Sequence, residues 1–372
     1  MFKNRIALMG ALMMANDGTN AYGGTTGPLP PTYQGGRSDS YLTDLAVADT
    51  EADQEFLTPK VFPTVNVNTK SGDFDVWDRG SLLRPEFRDH AYGDRPVQAH
   101  TKMKEGHYRT THRSLERAID PEDRASSRNP MQPEEDAALY LNAQARMDID
   151  LRFIEGFMRA DSGWGFVYQG VESGTPNTAA DSPEFTQFDQ AGVNVALFIR
   201  QRARRMQLMT GRKPNVLVLG SNVSAALAFN EDIVDRVKYV QKGVADFDLL
   251  AGFFDIPRVL DASGVYNAAR EGQADQFKYI VDPNSMLLTY AAPRPSRNVP
   301  SGGYTFVWDN LYTQFKGENE RIGDGMALIR RGYDDRSGVD WVQAHTAVGM
   351  NIVAPDLGMF FKDVVTATAN DW

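Results

Sequence analysis

The sequence predicts an α+β chain. An extended N-terminal arm and a long charged loop carried on paired strands lead into one long helix, and the second half mixes short strands with helices. Three observations predict it. Residues 16–63 are broken by Gly23-Gly24, Gly27-Pro28, Pro30-Pro31 and Gly35-Gly36, a punctuation that excludes a long helix or a central strand. Residues 70–105 hold seven basic and seven acidic residues and few large apolar ones. Pro133 followed by Glu134, Glu135 and Asp136 opens an apolar periodicity that runs to about residue 160. The proline suits a first helical turn, and the carboxylates suit the positive end of the helix dipole. A length of 372 residues fits two or three domains. With 42% hydrophobic and 24% charged residues, the composition is that of a globular protein rather than a disordered one.

In chain order, Lys3 and Arg5 precede an apolar run over residues 6–15. The run reads as a short sticky arm that packs on another element or another chain, and a secretory signal is the competing reading. Residues 41–56 contain a possible short helix with Leu42, Leu45 and Val47 among carboxylates. Val65 and Val67 alternate with polar residues, Ser71-Gly72 reads as a turn, and Phe74 and Val76 alternate again, which predicts a hairpin. A further extended run, residues 107–119, is placed to pair back. The excursion between them, residues 78–106, is balanced in charge and too long for a compact domain to stabilise by burial. The long helix is expected over about 133–160, about 28 residues or about 42 Å, with Met147, Leu151, Ile154 and Met158 on its apolar face. Residues 161–188 read as a loop or hairpin. A second helix is expected over about 189–209 with Ala196, Ile199, Ala203 and Met206 on one face, stopped by Gly211 and Pro214. Residues 216–219 form a continuous apolar strand, followed by Gly220-Ser221 and a helix to about Phe229 and a short helix after Asn230. Strands are expected at 258–260, 279–281, 286–290, 304–308 and 340–348.

Candidate chemistry is sparse. The absence of cysteine excludes a disulfide scaffold, a thiolate metal site and a cysteine nucleophile. Four histidines, His90, His100, His107 and His112, cluster around the excursion, but His107 and His112 fall on opposite faces of a strand and match no ligand spacing. The strand–turn–helix at Gly220-Ser221 resembles a phosphate site, yet it lacks the glycine pattern and the lysine such loops use, and Ser221 reads as a helix N-cap. Acid pairs at Asp73/Asp75, Asp148/Asp150 and Asp334/Asp335 read as solvated. Arg200, Arg202, Arg204, Arg205, Arg212 and Lys213 form the one basic concentration, with no acid between residues 190 and 213. It reads as a solvated face, or as a weak, nonspecific contact to nucleic-acid phosphates. The net charge, 39 − 49 = −10, argues against a chain whose whole surface grips DNA. No apolar run reaches the ~18 residues of a membrane span.

The order of these elements resembles the major capsid protein family of tailed bacteriophages, with the Hong Kong ninety-seven-type fold. The resemblance runs from about Thr58 to the C-terminus. Its pieces are Val61-Phe62-Pro63 leading to Ser71-Gly72, residues 108–124 entering the long helix, residues 211–220, residues 232–239, residues 256–260 with Tyr266-Asn267, and residues 300–308. The family implies an N-terminal arm (1–63), an extended E-loop region with its connection (64–132), and a peripheral domain with a spine helix (133–188). It also implies a mixed α/β axial domain (189–345) and a C-terminal return to the peripheral domain (346–372). The implied function is a structural one, self-assembly as pentamers and hexamers into the icosahedral head around the phage double-stranded DNA, with no enzymatic activity and no cofactor. An encapsulin-like cellular cage is the alternative, and an α/β enzyme using Gly220-Ser221 a third. Carried onto this chain, inter-subunit contacts are expected from Arg79, Arg84, Glu86, Arg88, Asp89, Arg95, Lys102 and Lys104. Arg200, Arg204 and Arg205 are candidates to face the lumen and the DNA. The short stretch before the E-loop implies a separate scaffold protein. Portal and cement proteins are further expected partners, a membrane is not, and the expected location is the virion, assembled in the host cytoplasm.

Overall fold

Continuous apolar runs and alternating ones build two different sheets in this chain. The computed structural model describes residues 37–38, 56–78, 80, 83–89, 92–93, 95, 98, 102–122, 133–172, 183–237, 247–296, 299–313 and 327–366. The helix expected within 41–56 and the apolar run at 6–15 lie outside them. In order, the elements begin with β1 (Arg37–Ser38), α1 (Thr58–Val61), β2 (Thr64–Val67), β3 (Ser71–Trp77), β4 (Met103–Arg109), β5 (Thr111–Ile119) and α2 (Pro133–Phe157). Next come β6 (Phe166–Val171), β7 (Glu184–Thr186), α3 (Val195–Thr210), β8 (Val216–Gly220), α4 (Ser221–Phe229), α5 (Glu231–Val237) and α6 (Phe247–Phe254). Last are β9 (Arg258–Ala262), β10 (Val265–Asn267), β11 (Phe277–Tyr279), β12 (Met286–Thr289), β13 (Gly303–Trp308), α7 (Asp309–Thr313), β14 (Ala327–Asp334), β15 (Val339–Ile352) and β16 (Gly358–Lys362).

The first sheet has the order β1-β14-β15-β13-β2, with β5 also on β15. Its long strand β15 pairs β14 and β5 along residues 340–346 and β13 along 348–352. Helix α2 lies on this sheet. Ala137, Ala138 and Leu141 pack with Ile119, Ile329, Val342 and Ala344, and further along Ile149 packs with Val307, Leu328, Ala347 and Val348. Arg152 ties the pairing together by donating to the carbonyls of Thr111 (3.1 Å) and Val348 (3.2 Å).

The second sheet has the order β7-β6-β16-β12-β8-β9. Strands β8 and β12 are buried at every residue because both faces are covered, which is why they read as unbroken apolar runs. Period-two geometry divides β8 cleanly. Leu217 and Leu219 join the cluster formed with α3, α4 and α6, through Ile199, Met206, Val223, Leu227 and Phe254. Val216 and Val218 face the end of α2 and residues 57–62, through Phe62, Phe153, Phe157 and Trp164. The Phe62 ring lies 4.6 Å from that of Phe157, and Trp164 Nε1 donates to the Phe157 carbonyl at 2.7 Å. The long helix therefore joins the sheets, one at each end.

Several expectations change. The long helix ends at Phe157, and its buried face is Ala137, Ala138, Leu141, Ala145, Ile149, Phe153 and Phe157, not the face of Met147, Leu151 and Ile154, which are half-buried on its flank. Alanines allow close approach to the sheet while carrying little hydrophobic signal, and Asn142, Arg146 and Asp150 turn inward as well. The hairpin expected around Ser71-Gly72 does not form. β2 pairs in parallel with β13 and β3 pairs with β4. Residues 161–188 are not a hairpin either, because β6 and β7 run parallel. The expected boundary at 345/346 falls inside β15, and β16 enters the second sheet between β6 and β12. Residues 57–62, assigned to the arm, belong to the core. Helix α3 matches its expected face and ends on Gly211 at φ 71°, the left-handed conformation that favours glycine there.

Candidate assembly interface

The charged excursion is carried on the β3–β4 hairpin, whose foot rests on the body. β3 and β4 pair from Ser71↔Arg109 to Trp77↔Met103, and a two-stranded ribbon alone is marginal in water. Aromatic stacking supplies the support. The Phe306 ring of β13 is stacked on Tyr108 at 4.7 Å and on Phe74 at 5.6 Å. Two glycines make room for these rings. A Cβ on Gly106 would meet Phe74 at 2.4 Å, and one on Gly72 would meet the Tyr108 hydroxyl at 2.8 Å. Asn351 Nδ2 donates to the His107 carbonyl at 2.6 Å and fixes the same region to β15. At the far end the hairpin closes through Asp78 N–H to the Lys102 carbonyl (2.8 Å) and Lys104 Nζ to Asp78 Oδ1 (3.4 Å).

Of the expected contact residues, Arg84, Glu86, Arg88, Asp89 and Arg95 lie beyond that closure, and Lys102 and Lys104 are part of it; the excursion also returns to the body, since a Cβ on Gly211 would meet the Leu83 side chain at 3.1 Å. Arg84, Arg88, Asp89, Arg95, Lys102 and Lys104 are exposed and Glu86 is half-buried; Arg79 lies outside the described residues. Composition did not single out the apolar members of this segment, yet Phe87 and Tyr92 are wholly exposed, at 106% and 108%.

The acid pair Asp148/Asp150, read as solvated, is not. Asp150 accepts the backbone N–H of Leu57 (3.1 Å), the N–H of Thr58 (3.0 Å) and the Thr58 hydroxyl. It thereby caps α1 from the spine helix. Burial pushes its carboxyl above the usual range, against the pull of the Thr58 hydroxyl and the two N–H groups. Arg146 lies 5.3 Å from the Phe56 ring, and Arg258 donates to the Lys60 carbonyl at 2.9 Å. Together they clasp the chain where the arm region meets the body. Asp148 pairs with Arg152 at 2.8 Å and with Arg113.

His112 meets a histidine the sequence did not pair with it. Its Nε2 lies 3.2 Å from His345 Nδ1, with the rings stacked at 5.5 Å. His345 Nε2 lies 3.2 Å from Gln343 Oε1, so it donates there, and its Nδ1 then accepts from His112; both rings are neutral in this network. Burial first, then Arg330 and His112, hold His345 down at about 4; burial and Lys70 lower His112. An unfolded chain takes the proton near 6.5 while the folded one refuses it until about 4. Folding stability should therefore fall as pH drops through that window. His345→Gln is expected to flatten this slope in urea titrations at pH 7, 5.5 and 4.5, and an unchanged slope would refute the assignment.

The basic helix splits in two. Arg202 lies 4.4 Å from the Tyr168 ring and 4.9 Å from Phe198, and Arg205 lies 5.7 Å from Phe166. Lys213 pairs with Asp255. Arg200 and Arg204 remain exposed on one face.

The Gly220-Ser221 turn is closed. The Pro283 carbonyl accepts from Asn222 N–H (3.1 Å) and Val223 N–H (3.3 Å), occupying the donors a phosphate would use. A Cβ on Gly220 would meet the same oxygen at 2.4 Å. The cap position is Gly220 rather than Ser221. Among the described residues, no group of three or more His, Asp or Glu side chains is placed to hold a metal, and no helix is long and apolar enough to cross a membrane.

No protein-family model matches the chain. It is 24% identical over 309 residues to the major capsid protein of Burkholderia phage BcepMu, covering 80% of this chain and 90% of that one. The chain is a homologue of a phage major capsid protein. Among solved structures it is similar to a phage-related protein of Bordetella bronchiseptica, at TM-score 0.60 and 16% identity, over 90% of this chain and all of that one. It is also similar to the capsid of cyanophage P-SCSP1u, at TM-score 0.49 and 10% identity, over 94% and 93% of the two chains.

Proposed function

We infer that this chain is a structural major capsid protein whose copies assemble into a phage head. The observation that carries the reading is the match along 80% of the chain to a phage major capsid protein, joined to a fold that carries a charged excursion on a two-stranded hairpin. The finer reading is an icosahedral shell of pentamers and hexamers around double-stranded DNA, located in the virion and assembled in the host cytoplasm. A separate scaffold protein, a portal and a cement protein are its proposed partners. Arg84, Glu86, Arg88, Asp89, Arg95, Lys102 and Lys104, with Arg79, are proposed to meet neighbouring subunits. Arg200 and Arg204, with Arg205, are proposed to face the DNA through phosphate contacts that weaken with salt. The role is structural rather than enzymatic, and the occupied turn at Pro283 supports that.

Negative-stain electron microscopy and sedimentation of the purified particles test this reading. Closed shells of uniform diameter that carry phage DNA are expected. Monomers or small oligomers alone would overturn it, and shells filled with an enzyme cargo would favour the cellular cage.

A further inference from the structure

Helix α3 has a second row of leucines and arginines on its outer face. Ile199, Ala203 and Met206 are buried beneath the helix. On the opposite side Leu197, Arg200, Arg204 and Leu208 follow at i, i+3, i+7 and i+11, the spacing of one helix face. Leu197 is 54% and Leu208 86% exposed, and both arginines are exposed. The next position of the row, i+14, is Gly211. A Cβ there would meet the Leu83 side chain at 3.1 Å, so a leucine from the excursion extends the row. Phosphate contacts use the arginines and leave the leucines without a role. A second copy of the same row would set arginine against arginine, which like-charge repulsion disfavours.

The chain holds a segment of the reverse chemistry. Residues 39–55 carry six carboxylates and no Lys or Arg, and the sequence predicts a short helix within 41–56. Leu42, Leu45, Asp49 and Asp53 share one face of such a helix, in steps of three, four and four. The row on α3, read backwards from Gly211 through Leu208 and Arg204 to Arg200, has the same steps. Laid antiparallel, Leu42 meets Leu83 over Gly211, Leu45 meets Leu208, Asp49 meets Arg204 and Asp53 meets Arg200. A slip of one turn sets Asp49 against Leu208, so the charges fix the register.

This match does not close within one subunit. Residues 57–62 pack on the Val216 and Val218 face of β8, and α3 packs on the Leu217 and Leu219 face, so the second sheet stands between them. Asp53 is only about 10 Å of chain from Phe56, which Arg146 of the spine helix holds. Leu208, at 86% exposure, is left bare by its own chain. We propose that the acidic segment 41–55 of one subunit docks as a helix along α3 of a second copy, leucine on leucine and aspartate on arginine. The proposal rests on the assembly reading above and gives α3 a protein partner.

A fluorescein-labelled peptide of residues 39–55, titrated with the purified subunit, tests the contact. Saturable anisotropy is expected, weakened about tenfold by Arg204→Glu or by Leu208→Ser in the subunit. Both side chains are exposed, and circular dichroism checks that the variants fold. An Asp49→Arg peptide should bind the unaltered subunit about tenfold less tightly and should prefer the Arg204→Glu subunit, a crossed preference that additive damage cannot produce. No binding, or binding indifferent to Leu208 and Arg204, overturns the proposal. A DNA duplex that binds where the peptide does not assigns the row to phosphates and also overturns it. The absence of cysteine allows a check in the assembly. Leu45→Cys with Leu208→Cys supplies the chain's only two thiols, and oxidised assemblies should run as covalent multimers on non-reducing gels. Monomer bands alone, open or closed by an intrachain disulfide, overturn docking between copies. If the unaltered chain forms no assembly, the assembly reading fails, and the peptide titration still decides the contact.

Discussion

Replacing residues 82–101 with a short Gly-Ser bridge should leave a folded subunit and abolish stable shells. The hairpin is closed below this segment by Asp78 with Lys102 and Lys104 and held at its foot by Phe306, and the described contact of the segment with the body is that of the half-exposed Leu83 beside Gly211, so the body should fold without the loop. The described loop residues Arg84, Phe87, Arg88 and Tyr92 are exposed and add little burial to their own chain. Each exposed ion pair contributes only about 0–1 kcal/mol, but a shell repeats it at every subunit. Far-ultraviolet circular dichroism and thermal melts should therefore match the unaltered subunit, while sucrose gradients should show no fast-sedimenting particles. Normal shells from the shortened chain would make the loop decoration. An unfolded product would place it in the intrachain core, contrary to its exposure.

How far the sequence speaks depends on where the partners of each residue lie. Helix α3 was legible because its apolar stripe, Ala196, Ile199, Ala203 and Met206, is local and Gly211 ends it. Strand β8 was legible because burial on both faces leaves a continuous apolar run. The excursion was legible because charge balance and length are compositional. The partnership of β2 was not, since Thr64 pairs with Thr305, some 240 residues away, and no local pattern reports that. The spine helix was placed correctly but turned the wrong way. Its close contacts use alanine, and its buried Arg146 and Asp150 look like surface residues until their partners are seen. Asp150 was invisible for the same reason: a carboxylate beside Asp148 reads as a solvated pair, and only the fold brings Leu57 and Thr58 to it.

Asp150 carries the other large expected effect. Asp150→Ala removes the acceptor for two backbone N–H groups and one hydroxyl. Each buried group left unpaired costs about 1–3 kcal/mol. Part of that loss is offset, because burial raises the pKa of Asp150 and removing the charge relieves its desolvation. A net loss of about 3 kcal/mol in urea unfolding of the subunit is expected from these opposing contributions. Thr58→Ala removes only the hydroxyl and should cost about 1 kcal/mol, the usual scale of a lost helix cap. Asp150→Asn keeps one acceptor oxygen and should fall between them. The pair Thr58→Ala/Asp150→Ala should cost less than the sum of its parts, since both remove one shared hydrogen bond. The clasp also predicts where the damage appears. α1 and Phe62 lie against Phe153 and Phe157, so loosening Thr58 should expose the chain near residue 57 to protease before the body unfolds. If Asp150→Ala unfolds within about 0.5 kcal/mol of the unaltered subunit, the scale of ordinary surface substitutions, and cleavage near residue 57 does not quicken, the clasp holds nothing in place.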